Sequence, residues 1–128
     1  MTADIIFPEM RREVIEALRS LSDPLHQRAR WGRVDEGVNY YDDLTLNVHT
    51  LYDGCQVLPS PDSAVPDVLH EAEVLAFRAL DAALGPMIRE LGDRPDEEYL
   101  ADPRWDNVIQ AASSALAAMR ACDHGQSP

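Results

Sequence analysis

The stretch DPRWDNVIQAASSALAAM, residues Asp102 to Met119, decides the fold. Its residues Trp105, Ile109, Ala112, Leu116 and Met119 are spaced 4, 3, 4 and 3 apart, which lines them along one face of an α-helix and scatters them over both faces of a strand. Asp102-Pro103 supplies the start, an acidic cap followed by a residue whose fixed φ suits the first helical turn. The segment therefore reads as a C-terminal amphipathic helix whose seam packs lengthwise against other helices, with Trp105 as its anchor. The tail from Asp123 to Pro128 has no apolar partner in the pattern and is expected to fray.

Upstream of this helix, the pattern repeats with less punctuation. Val68, Leu69, Ala72, Leu75, Ala76, Ala79, Leu80, Ala83 and Leu84 form a broad apolar stripe that predicts a long helix from about Pro66 to Gly92. Gly85-Pro86 falls inside it and should break or kink it, because proline lacks the amide that the helix needs there. Asp93 to Ala101 reads as a polar connection with one helical turn around Asp96 to Leu100. The alanine-rich faces of the two long helices suit close mutual packing.

Toward the N-terminus, Pro8 to Leu21 reads as a helix, with Met10, Val14, Leu18 and Leu21 on its apolar face and Arg11, Arg12, Glu13, Glu16 and Arg19 on its other sides. Asp23-Pro24 ends it and opens a short second helix, which Gly32 closes. The segment from Tyr40 to Tyr52 is ambiguous: Leu44, Leu46 and Val48 alternate like a strand, while Leu44, Val48 and Leu51 step like a helix. Asp42-Asp43 at its start and Gly54 at its end favour the helix. Residues 55 to 65, rich in Pro, Ser and Asp, read as a loop. The expected fold is all-α, a compact bundle of four to five helices forming a single domain over residues 1–128.

Charge separates the chain into three parts. Residues 1–33 hold six arginines and five acids, residues 34–106 hold four arginines and seventeen acids, and residues 107–128 hold Arg120 and Asp123. The net charge of −12 is thus concentrated in the middle. Such a field opposes binding to nucleic-acid phosphates. The chain has no lysine, which removes Schiff-base chemistry and a phosphate-loop lysine. No apolar run approaches the ~20 residues of a membrane helix, and Met1-Thr2-Ala3-Asp4 does not open a secretory signal, so a soluble cytoplasmic protein without membrane contact is expected. In that compartment Cys55 and Cys122 are expected to stay reduced and structurally ordinary.

Candidates for chemistry are sparse. His49 with Asp53 and His70 with Glu73 have the four- and three-residue spacings of ligands on one helical face, but neither has a partner unit elsewhere in the chain. The pairs Asp35-Glu36, Asp42-Asp43 and Glu97-Glu98 point about 100° apart if helical, which suits first-turn charge better than acid/base catalysis. There is no Gly-x-Ser-x-Gly elbow, no catalytic cysteine signature and no glycine-rich phosphate loop. No catalytic residue, metal ligand or cofactor is assigned. Of Tyr40 and Tyr41, at least one is left facing outward on a helix and is available to a partner. The order Asp42-Asp43, Leu51-Tyr52-Asp53, the alanine-rich helix ending at Gly92-Asp93, then Tyr99-Leu100-x-Asp102-Pro103-x-Trp105-x-x-Val108 resembles small uncharacterised acidic all-helical proteins of high-GC Gram-positive bacteria, over roughly residues 31 to 120. That resemblance implies no activity and transfers no site residues.

The function best suited to this pattern is a non-catalytic protein–protein interaction module, of the immunity, antitoxin or adaptor kind, that turns an acidic face to a basic protein partner. The residues expected to form that face are Tyr41, Asp42, Asp43, Asp53, Glu97 and Glu98. Two alternatives stay open: a small helical enzyme or ligand-binding protein with a carboxylate/histidine pocket between helices, and a homo-oligomer that uses spare apolar helix surface.

Overall fold

A computed structural model describes residues 5–32 and 42–125, with side chains placed through Asp123. The described residues form α1 (Pro8–Leu21), α2 (Pro24–Arg30), α3 (Leu44–His49), α4 (Val74–Leu91), α5 (Asp96–Ala101) and α6 (Trp105–Gly125). Among them the only strand-like pairing is a parallel bridge between Trp31 and Asp42. The helical reading of residues 44 to 54 therefore holds; α3 continues as a wider π-type turn over Thr50–Gly54. Tyr40 and Tyr41 lie outside the described residues.

The seam of α6 forms the centre of the molecule, packed against α1 on one side and α4 on the other. Phe77, Leu80, Leu84 and Met87 of α4 are fully buried, and so are Val108, Ala112, Ala115 and Met119 of α6. Large side chains on one helix meet small ones on the other, which is how two helices approach closely without leaving voids. Trp105 stands edge-on to both Trp31 and Tyr99, with ring centroids 5.8 and 6.5 Å apart. Its indole N–H donates to Gln27 Oε1 at 2.9 Å, and the Gln27 amide donates to the carbonyls of Ser20 and Leu21, also at 2.9 Å. A single buried glutamine thus satisfies orphan carbonyls at the end of α1 and ties α1, α2 and α6 together.

Two boundaries differ from the sequence expectation. The long helix begins at Val74 instead of Pro66, after a short 3-10 turn at Glu71–Glu73. Val68 and Leu69 are buried as expected, but the Val68 carbonyl, which a helix would use internally, accepts instead from Arg11 Nη1 at 3.1 Å. At the other end α6 runs to Gly125, past Asp123 where fraying was expected, and Asp123 is held there by Arg11 at 2.9 Å. Pro86 does not interrupt α4. The preceding residue is glycine, so the Cβ part of the clash with the proline ring is absent, while the helix still forgoes the hydrogen bond of the missing Pro86 amide.

The loop after the π-type turn holds a third departure. Gly54 was expected to cap the helix, yet the left-handed residue is Gln56, at φ 53°. Its neighbours Val57 and Leu58 both donate to the Leu51 carbonyl, at 3.0 and 3.1 Å, which fixes this turn. A side chain in the left-handed region costs about 1–2 kcal/mol, against about 0.5–1 kcal/mol for the extra unfolded-state freedom of glycine. Gln56→Gly is therefore expected to raise stability by about 0.5–1 kcal/mol, read as a higher urea midpoint with unchanged slope.

Candidate functional site

Two features compete as the seat of function: a polar knot inside the bundle and an acidic edge on its surface. The knot forms where the end of α1, α2, the Trp31 bridge and the start of α3 meet. Asp42 Oδ2 accepts from Ser20 Oγ at 2.5 Å and Trp31 Nε1 at 3.2 Å and lies 2.8 Å from His26 Nε2, while its Oδ1 accepts from Asn47 Nδ2 at 2.9 Å. Asp42 is only 8% exposed. The carboxylate thus faces inward, a correction to its expected place on the docking face. The physical reason is that an acid just before the cap of α3, flanked by Trp31, Asn47 and Ser20, gains more hydrogen bonds inside than water would restore outside.

Serine, histidine and aspartate in contact invite comparison with a hydrolase triad, but the wiring differs. In a triad the nucleophile is hydrogen-bonded to the histidine, and the aspartate orients that histidine from its far side. Here Ser20 gives its one proton to Asp42 and accepts from Trp31 at 2.8 Å and Asn47 at 3.2 Å. Its hydroxyl is saturated. The cluster joins α1, α2 and α3 in the manner of a structural lock.

A second buried cluster was also missed by the sequence reading, which set Arg11 on the outer side of α1. Arg11 is 5% exposed and forks onto Glu73, with Nη1 to Oε1 at 2.8 Å and Nη2 to Oε2 at 2.6 Å. It also reaches the Met119 carbonyl at 3.2 Å and Asp123 at 2.9 Å. Burial would lower the guanidinium pKa, but Glu73 and then Asp123 outweigh it and leave it above its ordinary value. Glu73 is thereby turned away from any joint action with His70, although its Oε1 also accepts the His70 amide at 2.9 Å, closing a capping box. His49 and Asp53 do pair, at 2.9 Å, but both side chains are 67% exposed. Among the described residues no three His, Cys, Asp or Glu side chains are placed to hold a metal ion.

The thiols are held in their protonated form. Cys55 is buried against the Met10 carbonyl and Glu13, at 3.5 and 3.6 Å, and burial, reinforced by the Glu13 carboxylate, pushes it up to about 11. Burial and then Glu73 push the Cys122 thiol up as well.

The acidic edge arises where the starts of α3 and α5 meet. The Leu44 amide donates to Asp96 Oδ2 at 3.2 Å, which sets Asp43, the cap of α3, beside the first turn of α5 with Asp96, Glu97 and Glu98. Asp43 holds the Leu46 amide at 2.7 Å. Glu97 is exposed, and Glu98 pairs with Arg94 at 2.8 Å. Asp53 lies about ten residues farther along the helix from Asp43, roughly 15 Å away, so it is not part of this edge. Tyr41 lies outside the described residues. Asp96 and Asp93 belong to the edge without having been singled out by sequence; the signal available was the density of acids between Asp93 and Glu98.

The carboxyl of Asp96 is held above its ordinary range, first by burial, with the Leu44 amide pulling the other way and the Asp43 and Asp42 carboxylates adding to the rise. Next to the edge, a groove of about 460 Å³ lies between α3 and the turn from α4 to α5, lined by Leu44, Val48, Ile88 and Tyr99 with Asp93 and Arg94 at its rim. The Tyr99 hydroxyl donates to the Gly92 carbonyl at 2.8 Å and closes one end.

No helix among the described residues is long and apolar enough to cross a membrane. No curated protein and no solved structure matches the chain. A family model described as a domain of unknown function, DUF7945, matches residues 5–127, and the chain therefore belongs to that family.

Proposed function

We propose that this chain is a non-catalytic, cytoplasmic interaction module whose acidic edge docks a basic protein partner. The observation that carries this reading is the bond from the Leu44 amide to Asp96, which joins positions 52 residues apart and brings the acids around them to one edge. Like charges so placed repel one another: burial raises the Asp96 carboxyl first, and the Asp43 and Asp42 carboxylates add to the rise. A basic partner would relieve that repulsion. The acids at the start of α5 also complement the helix dipole and Asp43 caps α3, but neither local use accounts for Asp93 lying with Asp96 near Tyr99. The ligand-pocket alternative draws less support, because His49 is exposed and Glu73, the partner of His70 in that reading, is committed to Arg11.

The test pairs association with stability. Capture of partners from native lysate at low salt should recover a basic protein, and the association rate should fall at least about tenfold as screening shortens the Debye length from about 10 Å at 0.1 M to about 3 Å at 1 M. Asp96→Asn keeps an acceptor for the Leu44 amide and removes the charge. With its folded-state pKa raised, Asp96 favours folding below the ordinary carboxylate range and becomes a penalty as pH rises through it. The variant should therefore unfold at a higher temperature than the parent at neutral pH, lose that advantage near pH 2, and bind the partner more weakly. Recovery of no partner at low salt would sink the proposal.

A further inference from the structure

We propose that the groove between α3 and the α4–α5 turn receives an arginine side chain of the basic partner, an inference that rests on the acidic-module function above. Its floor is apolar, made by Leu44, Val48, Ile88 and the Tyr99 ring, and its volume of about 460 Å³ is ample for one long side chain. At the rim stands the Asp93 carboxylate, with Asp96 held against the Leu44 amide at the α3 end. Arg94 also borders the groove, and Glu98 at 2.8 Å offsets its charge. The Tyr99 hydroxyl is shifted upward by burial and then by Asp93 and Asp96, so both carboxylates lie near this end of the groove.

An occupant must satisfy the floor and the rim together. A purely aliphatic side chain would cover Leu44, Val48 and Ile88 and leave the two carboxylates partly desolvated without a cation, and an acidic side chain would be repelled. Arginine has an aliphatic stem for the floor and a planar, weakly hydrated cation that carboxylates and aromatic rings both accept. The lining itself carries both signs, Asp93 and Arg94, and its acidic excess comes from the adjoining first turn of α5; other surface clefts also mix charges. The cleft between α1, α2 and α6, of about 540 Å³, sets Arg19 and Arg120 against Glu16 and Asp23, and the groove between α1 and α3, of about 480 Å³, sets Arg12 among Glu13, Glu16 and the committed Asp42.

The experiment is a titration of isotope-labelled protein with a capped arginine-rich nonapeptide at low salt, followed by backbone amide shifts. Shifts concentrated at Leu44, Thr45, Val48, Gly92 and Asp93 are expected. Thr45 is exposed at the groove wall, so Thr45→Arg should fold normally, checked by circular dichroism, and fill the groove from within. It should weaken the peptide at least about tenfold, whereas Gln110→Arg, the same charge change on the exposed face of α6, should weaken it less than about threefold. Shifts confined to Glu97, Glu98 and other exposed acids, with Thr45→Arg and Gln110→Arg equivalent, would overturn the groove and leave the acidic module standing. Absence of any binding would overturn both.

Discussion

Arg11→Met is expected to destabilise the chain by about 3–5 kcal/mol, a large share of the 5–15 kcal/mol typical of a folded domain. The effect comes less from losing a favourable pair than from stranding its partner. Glu73 has no exposed side-chain surface, and both of its oxygens rely on the Arg11 guanidinium at 2.8 and 2.6 Å. Without it a carboxylate stays in the interior with the His70 amide and the weakly donating Cys122 thiol as its partners. The Val68 and Met119 carbonyls lose a donor as well. If this account is right, adding Glu73→Leu to Arg11→Met should recover most of the loss, because an apolar pair of similar volume needs no compensation. Asp123→Asn should cost about 1 kcal/mol or less, since its side chain is 41% exposed and solvent already screens its bond to Arg11. Urea unfolding of the parent, Arg11→Met, Glu73→Leu and the double variant gives the cycle, and a double variant as unstable as Arg11→Met alone would refute it.

Arg11 also marks where the sequence stops being informative. The helices with regular spacing and clear caps were legible: the α6 seam from Trp105 to Met119, the Pro8 start of α1, the Asp23-Pro24 start of α2 and the Asp43 cap of α3 all follow from local rules. What escaped depended on partners remote in sequence. Arg11 looks like an ordinary outward residue until Glu73, 62 positions away, is known to face it, and the same bond pattern moves the start of α4 from Pro66 to Val74. Gln56 gives no sign of a left-handed backbone, because that is imposed by the Leu51 carbonyl. For the candidate site, a face joining Asp43 to Glu97 and Glu98 was expected from their acidity, but the contact that gathers Asp43 and Asp96 into one edge was not legible. The edge exists only because Leu44 meets Asp96.

Asp42→Ala is expected to cost about 3 kcal/mol or more, since it removes one acceptor group shared by Ser20, His26, Trp31 and Asn47. Asp42→Asn should rescue little of this. An amide keeps one oxygen, which can serve Asn47 or the group of Ser20, His26 and Trp31, and it turns its own N–H groups toward donors on the other side. The Trp31 indole would report the change directly, because its N–H bonds both Ser20 and Asp42, so its fluorescence should shift even in the folded state. Glu97→Gln, at an exposed position, should leave stability within about 0.5 kcal/mol of the parent. The two acids thus separate the two roles that acidity plays in this chain. Loss at Asp42 should appear as an unfolding midpoint that falls at every salt concentration, with the folded fraction still competent to bind. Loss at Glu97 should appear as slower association that high salt masks. A stable Asp42→Ala protein that fails to bind would reverse the assignment and move the docking surface to the knot.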